Sequence, residues 1–507
     1  MPSAAARPQT YKKPTIDDID PIDNYIPASV RDKVSLKAYG ILRRLRRFVE
    51  EECIPADEVY LQQLQASSRT AVSPSWSAHS STKNFSAAEL EGATLTLDEE
   101  CRELPIVAEL RARAKELGLW NLLVLQDDLC MPVAGTGAEQ SLPSGLLFDS
   151  NLTTLEYALL CQFIGRSLVA QEVTNTSHVN TGTMELLLKH GDPMQLQECL
   201  SPLLHDDATS SFLMSEKNVS SSDALNVATT CTFDFDSRTM TISGNKWFAS
   251  SVGDPHCRVW LVLCLTEQEE GNIYKKHSIV VVRPEDLDES TTTITPIDVL
   301  GHDHDELRNT KYYEVEFSNL TVPLSILGSR GDGFQIAQQR SNASRVYQCM
   351  KLCGMGHEAL RRANHRASVR KVFGIKLQKS EHFKFEVANW KLKIEMCRLL
   401  CCNAAIKADV EGMKQARDEI SMAKIMTPKE MSALVDWSMQ IHGSLGICEN
   451  ATPLVRMWTL ARSLRINEGP DEALLSQLGR TEIMALNKSN KFYEESTCKR
   501  GRGMLSG

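Results

Sequence analysis

The chain has 507 residues, 42% hydrophobic and 24% charged, with 56 Lys and Arg against 65 Asp and Glu for a formal charge of −9. Such a length exceeds one ordinary core and predicts several subdomains, while the balance excludes wholesale disorder, collagen-like repeats and rods. The mild acidity argues against an extended nucleic-acid-binding surface.

Residues 1–28 read as a tail. They contain no apolar run followed by a cleavage signal and turn acidic at Asp17 and Asp18, so no secretory leader is expected. Residues 29–210 read as a helical domain. Val34, Ala38, Ile41, Leu45 and Val49 recur at helical spacing, and Pro55 is expected to stop that helix. A stretch rich in Ser, Thr and Ala, near 65–96, reads as an exposed insertion. Helical spacing resumes at Pro105 and again from Tyr157 to Val169.

Residues 211–325 change texture. Thr229 to Asp236 alternates, Arg258 to Leu265 is a buried run, and His277 to Val282 and Tyr312 to Phe317 follow, with Gly244-Asn245 and Gly271-Asn272 read as turns. Strands without intervening helices predict an antiparallel β domain. The apolar core of this stretch, Val259 to Leu265, is far short of the roughly 20 residues that a membrane span needs. Residues 326–490 carry long apolar periodicities, through Phe383 to Ala408 and Ile420 to Ile441, and predict a four-helix bundle. Residues 491–507 read as a tail whose end, Arg-Gly-Met-Leu-Ser-Gly, is not a Ser-Lys-Leu address. The fold class is therefore α+β, in the order helical, β, helical. The 15 cysteines are odd in number, scattered and free of Cys-x-x-Cys pairs, so a reducing compartment is expected, cytoplasmic or peroxisomal.

Several segments carry polar residues in patterns suited to chemistry. Phe212 to Asp223 reads FLMSEKNVSSSD, with Met214, Ser215 and Ser221 in a loop of short hydroxyls and backbone N–H groups. Gly244 to Ser251 reads GNKWFASS, with Phe248 the second of an aromatic pair and Ser250 a short hydroxyl two places on. Arg370 to Leu377 reads RKVFGIKL, in which Arg370 offers a planar, permanently charged fork suited to a diphosphate and Gly374 is expected to cap a helix. Gln440 to Gly446 reads QIHGSLG. Arg462 to Glu472 reads RSLRINEGPDE, in which Gly469 permits a sharp bend and Pro470 presets a helix start, a turn that can aim the Glu468 carboxylate into a cleft. His302-Asp-His304 lies in a polar turn with no third ligand nearby, and no metal is expected.

These segments resemble those of the acyl-CoA dehydrogenases over Leu104 to Glu482, and within that superfamily the branch whose catalytic segment reads Asp/Glu-Gly-Pro-Asp-Glu. The resemblance implies FAD as cofactor. It implies that Met214, Ser215 and Ser221 lie along the flavin, that Phe248 packs on the ring and that Ser250 bonds N5. It further implies that Arg370 and Phe373 hold the pyrophosphate and adenosine end, and that Gln440 and Gly443 complete the FAD site of a neighbouring subunit. Glu468 falls at the position of the catalytic base, and Arg345 and Gly469 on the substrate side. Ser344 occupies the place from which some members take their base, so no second base competes. Ser215, Lys217 and Ser444 replace the usual Thr, Pro and Gly, and Glu381 stands where a Gln is usual.

The implied reaction is α,β-dehydrogenation of an acyl-CoA thioester in fatty acid metabolism: Glu468 takes the Cα proton and flavin N5 the Cβ hydride. A flavin is needed because no natural side chain serves as an electron sink. Implied partners are the thioester, a flavoprotein electron acceptor or oxygen, and further copies of the chain in a homodimer or homotetramer; nucleic acid is not implied. Two other readings stay open: a flavin oxidase or specialised-metabolite dehydrogenase acting on another carbanion precursor, for example a nitroalkane, and a catalytically degenerate scaffold.

Overall fold

The computed structural model describes residues 16–71, 104–122, 152–254, 256–266, 271–300, 312–449 and 451–504. The N-terminal helices are α1 (Ile16–Ile19), α2 (Leu36–Arg47), α3 (Ile54–Ala71), α4 (Pro105–Glu116), α5 (Thr154–Ile164), α6 (Ala170–Val173), α7 (His178–His190), α8 (Pro193–Gln195) and α9 (Ser201–His205). Strands β1 (Thr209–Leu213), β2 (Thr230–Asp234), β3 (Thr239–Ser250), β4 (Cys257–Leu265), β5 (His277–Val282), β6 (Thr292–Ile297), β7 (Tyr312–Pro323) and β8 (Ile326–Leu327) follow. The chain then forms α10 (Gly333–Val369), the hairpin strands β9 (Lys371–Val372) and β10 (Ile375–Lys376), α11 (Glu381–Glu411), α12 (Arg417–His442), α13 (Leu454–Ser463) and α14 (Asp471–Met504). Among the described residues, helix is already present at Ile16–Ile19, and Ile22 and Ile26 enter the core. Most of the Ser/Thr/Ala-rich stretch, and His302 and His304, lie outside the described residues.

Pro55 does not stop the early helix. Between α2 and α3 the backbone widens into a π turn, Phe48–Cys53, and the Ile54 N–H bonds back to the Val49 carbonyl. The wider register accommodates the missing proline N–H, and α3 continues past it.

Strands β1–β8 form one sheet in the order β6-β7-β3-β2-β4-β5-β8, with β1 added beside β4, and β9 and β10 pair separately. Most pairings are antiparallel, but β1 and β2 each run parallel to β4. Strand β4 explains the continuous apolar run. Val259, Leu261 and Leu263 face one cluster with the α7–α9 region, while Trp260, Val262 and Cys264 face another between the strands. A strand covered on both faces has no reason to alternate. Gly244 is not a turn. It sits inside β3 at a register shift, with φ +141°, and a Cβ there would lie 2.7 Å from Thr229 Cα. The β2–β3 turn falls instead after Asp234, where Arg238 takes φ +55°.

The N- and C-terminal helices share one core. Helix α5 crosses α10 at two glycines: a Cβ on Gly165 would lie 1.9 Å from the Lys351 carbonyl oxygen, and one on Gly354 1.8 Å from that of Gln162. Backbone meets backbone, so neither helix can yield by a rotamer change. Gly354→Ala is expected to cost about 1–3 kcal/mol or more by overpacking, seen as a lower urea midpoint. Gly374 is another correction. Helix α10 ends at Val369, and Phe373 (φ +50°) and Gly374 (φ +83°) form the tight turn of the β9–β10 hairpin.

Candidate functional site

Glu468 sits in the link between α13 and α14. The link is closed by Arg465, whose Nε donates to Asp471 Oδ2 at 2.8 Å and whose carbonyl accepts from the Asp471 N–H. Asp471 opens α14, where a negative charge is favoured. Inside this clasp Glu468 has φ +56° and Gly469 φ +98°. A left-handed non-glycine costs on the order of 1–3 kcal/mol and persists only when its surroundings fix it. They do so here: Arg345 Nε donates to the Glu468 carbonyl at 2.7 Å, and the buried Lys424 ammonium donates to the Leu464 and Gly469 carbonyls. A Cβ on Gly469 would lie 3.2 Å from Arg345 Nη2, so glycine serves both the turn and the close approach.

The carboxylate itself is held by one oxygen. Ser344 Oγ donates to Glu468 Oε1 at 2.7 Å, whereas Oε2 is buried and has no hydrogen-bond partner among the described residues. The residue in the place of the alternative base thus orients Glu468. Four cations, Arg340, Lys351 and Lys424 buried and Arg345 partly so, lie within the field of this carboxylate; desolvation pulls each below its ordinary pKa, and Glu468 opposes that.

On the sheet side, Phe248 (φ +57°) lies at a bulge of β3 and stacks on Tyr312, with ring centroids 4.0 Å apart and planes 20° from parallel. Ser250 pairs with Tyr312 across the strands. The Met214–Ser221 loop is tied to the same bulge. The Ser215 carbonyl accepts from the Trp247 N–H at 2.8 Å, and Ser221 Oγ accepts from the Glu216 N–H at 2.9 Å. Lys246, fully buried, donates to Glu216 Oε1 at 2.8 Å, to the Leu263 carbonyl at 2.7 Å and to that of Met214 at 3.4 Å. The Ser215 and Ser250 hydroxyls have no hydrogen bond to any described residue.

At the far end of α12, Gly443 (φ +68°) ends the helix and Gln440 is exposed. A Cβ on Gly443 would lie 3.7 Å from Arg370 Nη1, so these two segments, far apart in sequence, share one end of the bundle. Phe373 stands fully exposed at the hairpin tip. The structure therefore joins Glu468, Ser344, Arg345 and Gly469 in one group, the 214–221 loop with Phe248 and Ser250 in a second, and Arg370 with Gly443 in a third.

Family models for the acyl-CoA dehydrogenase middle domain and C-terminal domain match residues 211–319 and 331–483. The Mycobacterium tuberculosis protein FadE2, named for the same family, is 33% identical over 385 residues, which is 75% of this chain and 86% of that protein. The chain belongs to the acyl-CoA dehydrogenase family. Acyl-CoA dehydrogenase family member 11 of Gallus gallus is 35% identical over 393 residues; the match takes in 77% of this chain but only 47% of that relative, so the chain spans about half of it. Among solved structures, an acyl-CoA dehydrogenase-type protein of Mycobacterium abscessus superposes with a TM-score of 0.72 at 29% identity, covering 89% of this chain and 99% of that one. Butyryl-CoA dehydrogenase of Megasphaera elsdenii shares the fold, with a TM-score of 0.64 at 20% identity and coverage of 89% and 99%. The cofactor of this family is FAD.

Sequence reading missed Arg340, Lys351, Lys424, Tyr312 and the Lys246–Glu216 pair. A signal existed for two of them: Arg340, Ser344, Gln348 and Lys351 recur at helical spacing and share a face of α10 with the residue that holds Glu468.

Proposed function

We propose that this chain catalyses FAD-dependent α,β-dehydrogenation of an acyl-CoA thioester, with Glu468 as the base. The observation that carries the reading is the state of the Glu468 carboxylate: one oxygen is oriented by Ser344, and the other is buried and unengaged. A base must be positioned before its proton affinity matters, and the strained turn with its Arg345 and Lys424 tethers does the positioning. The Cα proton passes to Oε2. The Glu468 and Gly469 N–H groups can polarise the thioester oxygen, since their carbonyls, not their N–H groups, take up Arg345 and Lys424.

The described residues fit FAD. The Ser215 and Ser250 hydroxyls are unengaged beside the flat Phe248–Tyr312 stack, and the Arg370 guanidinium lies beside the bare Cα of Gly443, where a diphosphate can approach. Met214 and Ser221 shape the loop, and Phe373 and Gln440 present exposed groups at the same end as Arg370. When bound, FAD supplies the electron sink for the Cβ hydride. The exposure of the Arg370–Phe373–Gly443 end supports assembly as a homodimer or homotetramer, with that end closing the neighbour's site; a flavoprotein acceptor would take the electrons in this reading.

Anaerobic titration of the FAD-loaded protein tests this reading. Acyl-CoAs of several chain lengths are expected to bleach the visible flavin band, at least one of them stoichiometrically. Bleaching by a nitroalkane alone would replace the dehydrogenase with an oxidase-type reaction. Failure to take up FAD at all would leave a scaffold.

A further inference from the structure

The cleft that opens beside Ser344 is not built for a plain hydrocarbon. Its lining includes His178, Thr181, Glu185, Arg340, Gln348 and Lys351, contributed by α7 and α10. Burying an alkyl chain against such groups strips their water without replacing it, which offsets the gain from removing apolar surface.

Arg340 is the residue that such a lining leaves unexplained. It is 9% exposed, its Nε is buried without a hydrogen-bond partner, and no ion pair or hydrogen bond engages it among the described residues. Both nearby carboxylates feel its charge, yet neither pairs with it: Glu468 is held by Ser344, and Glu185 accepts from Lys189 at 2.8 Å. The guanidinium lies over the Phe212 ring, 4.6 Å from its centroid. Room for it comes from Gly182, where a Cβ would fall 2.8 Å from Arg340 Nε. One turn past Gln348, Lys351 Nζ donates to the Thr176 carbonyl at 2.6 Å and lines the same cleft. His178, in the same lining, is held near pKa 3 by burial and by Arg340 and Lys351, so it is neutral and adds no charge. A buried guanidinium without an anion is costly, and a ligand that brings an anion to it offsets that cost.

We infer that the acyl group this cleft receives carries an anionic oxygen group beyond Cβ, a carboxylate in the simplest case, and that Arg340 receives it. Fork geometry suits a carboxylate, and Lys351 adds charge deeper in the cleft. Glu185 then acts as a filter, disfavouring a second negative charge. The inference rests on the dehydrogenase reading for the word acyl, but its test does not depend on turnover.

Affinities of the FAD-loaded protein are measured by calorimetry for unreactive 3-thia-acyl-CoA analogues from four to eight carbons, each with and without a terminal carboxylate. At one chain length the carboxylated analogue is expected to bind roughly 10- to 100-fold tighter than its plain partner, the gain of a charge-assisted pair. Arg340→Met should bring that ratio to near one, and Arg340→Lys should restore part of it, with the melting temperature and flavin spectrum showing that each variant is folded. Plain analogues binding as tightly as, or tighter than, every carboxylated one in the wild type would overturn the inference. So would a ratio unchanged in a folded Arg340→Met. If carboxylated analogues win but no thioester bleaches the flavin, the cleft assignment stands and the dehydrogenase reading falls.

Discussion

Glu468→Gln is expected to lower the rate of flavin reduction by acyl-CoA by about 10³- to 10⁴-fold while leaving FAD content unchanged, as stopped-flow reduction and the visible spectrum would show. The side chains are nearly isosteric. Gln keeps an oxygen for Ser344 Oγ, and the backbone carbonyl that Arg345 holds is untouched, so the turn with φ +56° survives. What disappears is the basic lone pair at the unengaged position and the negative charge amid Arg340, Arg345, Lys351 and Lys424. Glu468→Asp separates those two losses. It keeps the charge but withdraws the carboxylate by about one methylene, and a displacement on the order of 1 Å at a reacting group costs about 10²-fold. A base therefore predicts the order Glu, then Asp, then Gln. A purely electrostatic or structural role predicts that Asp stays near wild type, and equal rates for Glu and Gln would remove Glu468 from the chemistry.

Which parts of this were legible in the sequence follows from where the determining contacts lie. Glu468, Gly469 and Pro470 form a local turn, and Ser344 and Arg345 adjoin one another on one helix, so a linear pattern displays them. The α–β–α order was legible because long amphipathic runs and the β4 run have their own periodicities. Gly244-Asn245 looks like a hairpin turn because glycine marks unusual φ, but periodicity cannot say whether the unusual φ serves a turn or a bulge packed against Thr229. Pro55 misled for a related reason: it forbids a regular α-helical bond, and a π turn is another way to comply. Lys424 was invisible because its ammonium reaches carbonyls 40 and 45 positions away. The Lys246–Glu216 pair spans 30 positions and joins two segments that were each read as flavin contacts, with nothing to say that one props the other.

Lys246→Met is expected to destabilise the protein by about 3–5 kcal/mol and to weaken FAD retention, because it leaves a carboxylate buried beside the Met214–Ser221 loop without its partner. Glu216 accepts from the Ala228 and Thr229 N–H groups as well as from Lys246, and the Met214 and Leu263 carbonyls would lose their donor too. Burial alone would raise the Glu216 pKa; Lys246 and these hydrogen bonds outweigh it and hold the carboxyl below its ordinary value. An unfolded chain then binds more protons than the folded one in the acid range. The stabilisation is fully present above the ordinary carboxylate pKa and fades as pH falls through that value and the lower folded one. In Lys246→Met the charge and hydrogen bond of Lys246 no longer hold that carboxyl down, and only the Ala228 and Thr229 N–H groups still oppose burial, so the variant gains less stability than the wild type as pH rises. The gap between the two proteins, read as urea midpoints, is therefore expected to be widest at neutral pH and to narrow toward pH 4. A gap independent of pH would mean that Lys246 contributes packing alone. Adding Glu216→Gln to Lys246→Met removes the stranded charge, so the double variant should recover part of the loss at neutral pH and little at pH 4, an outcome that a cavity left by the lysine stem cannot produce.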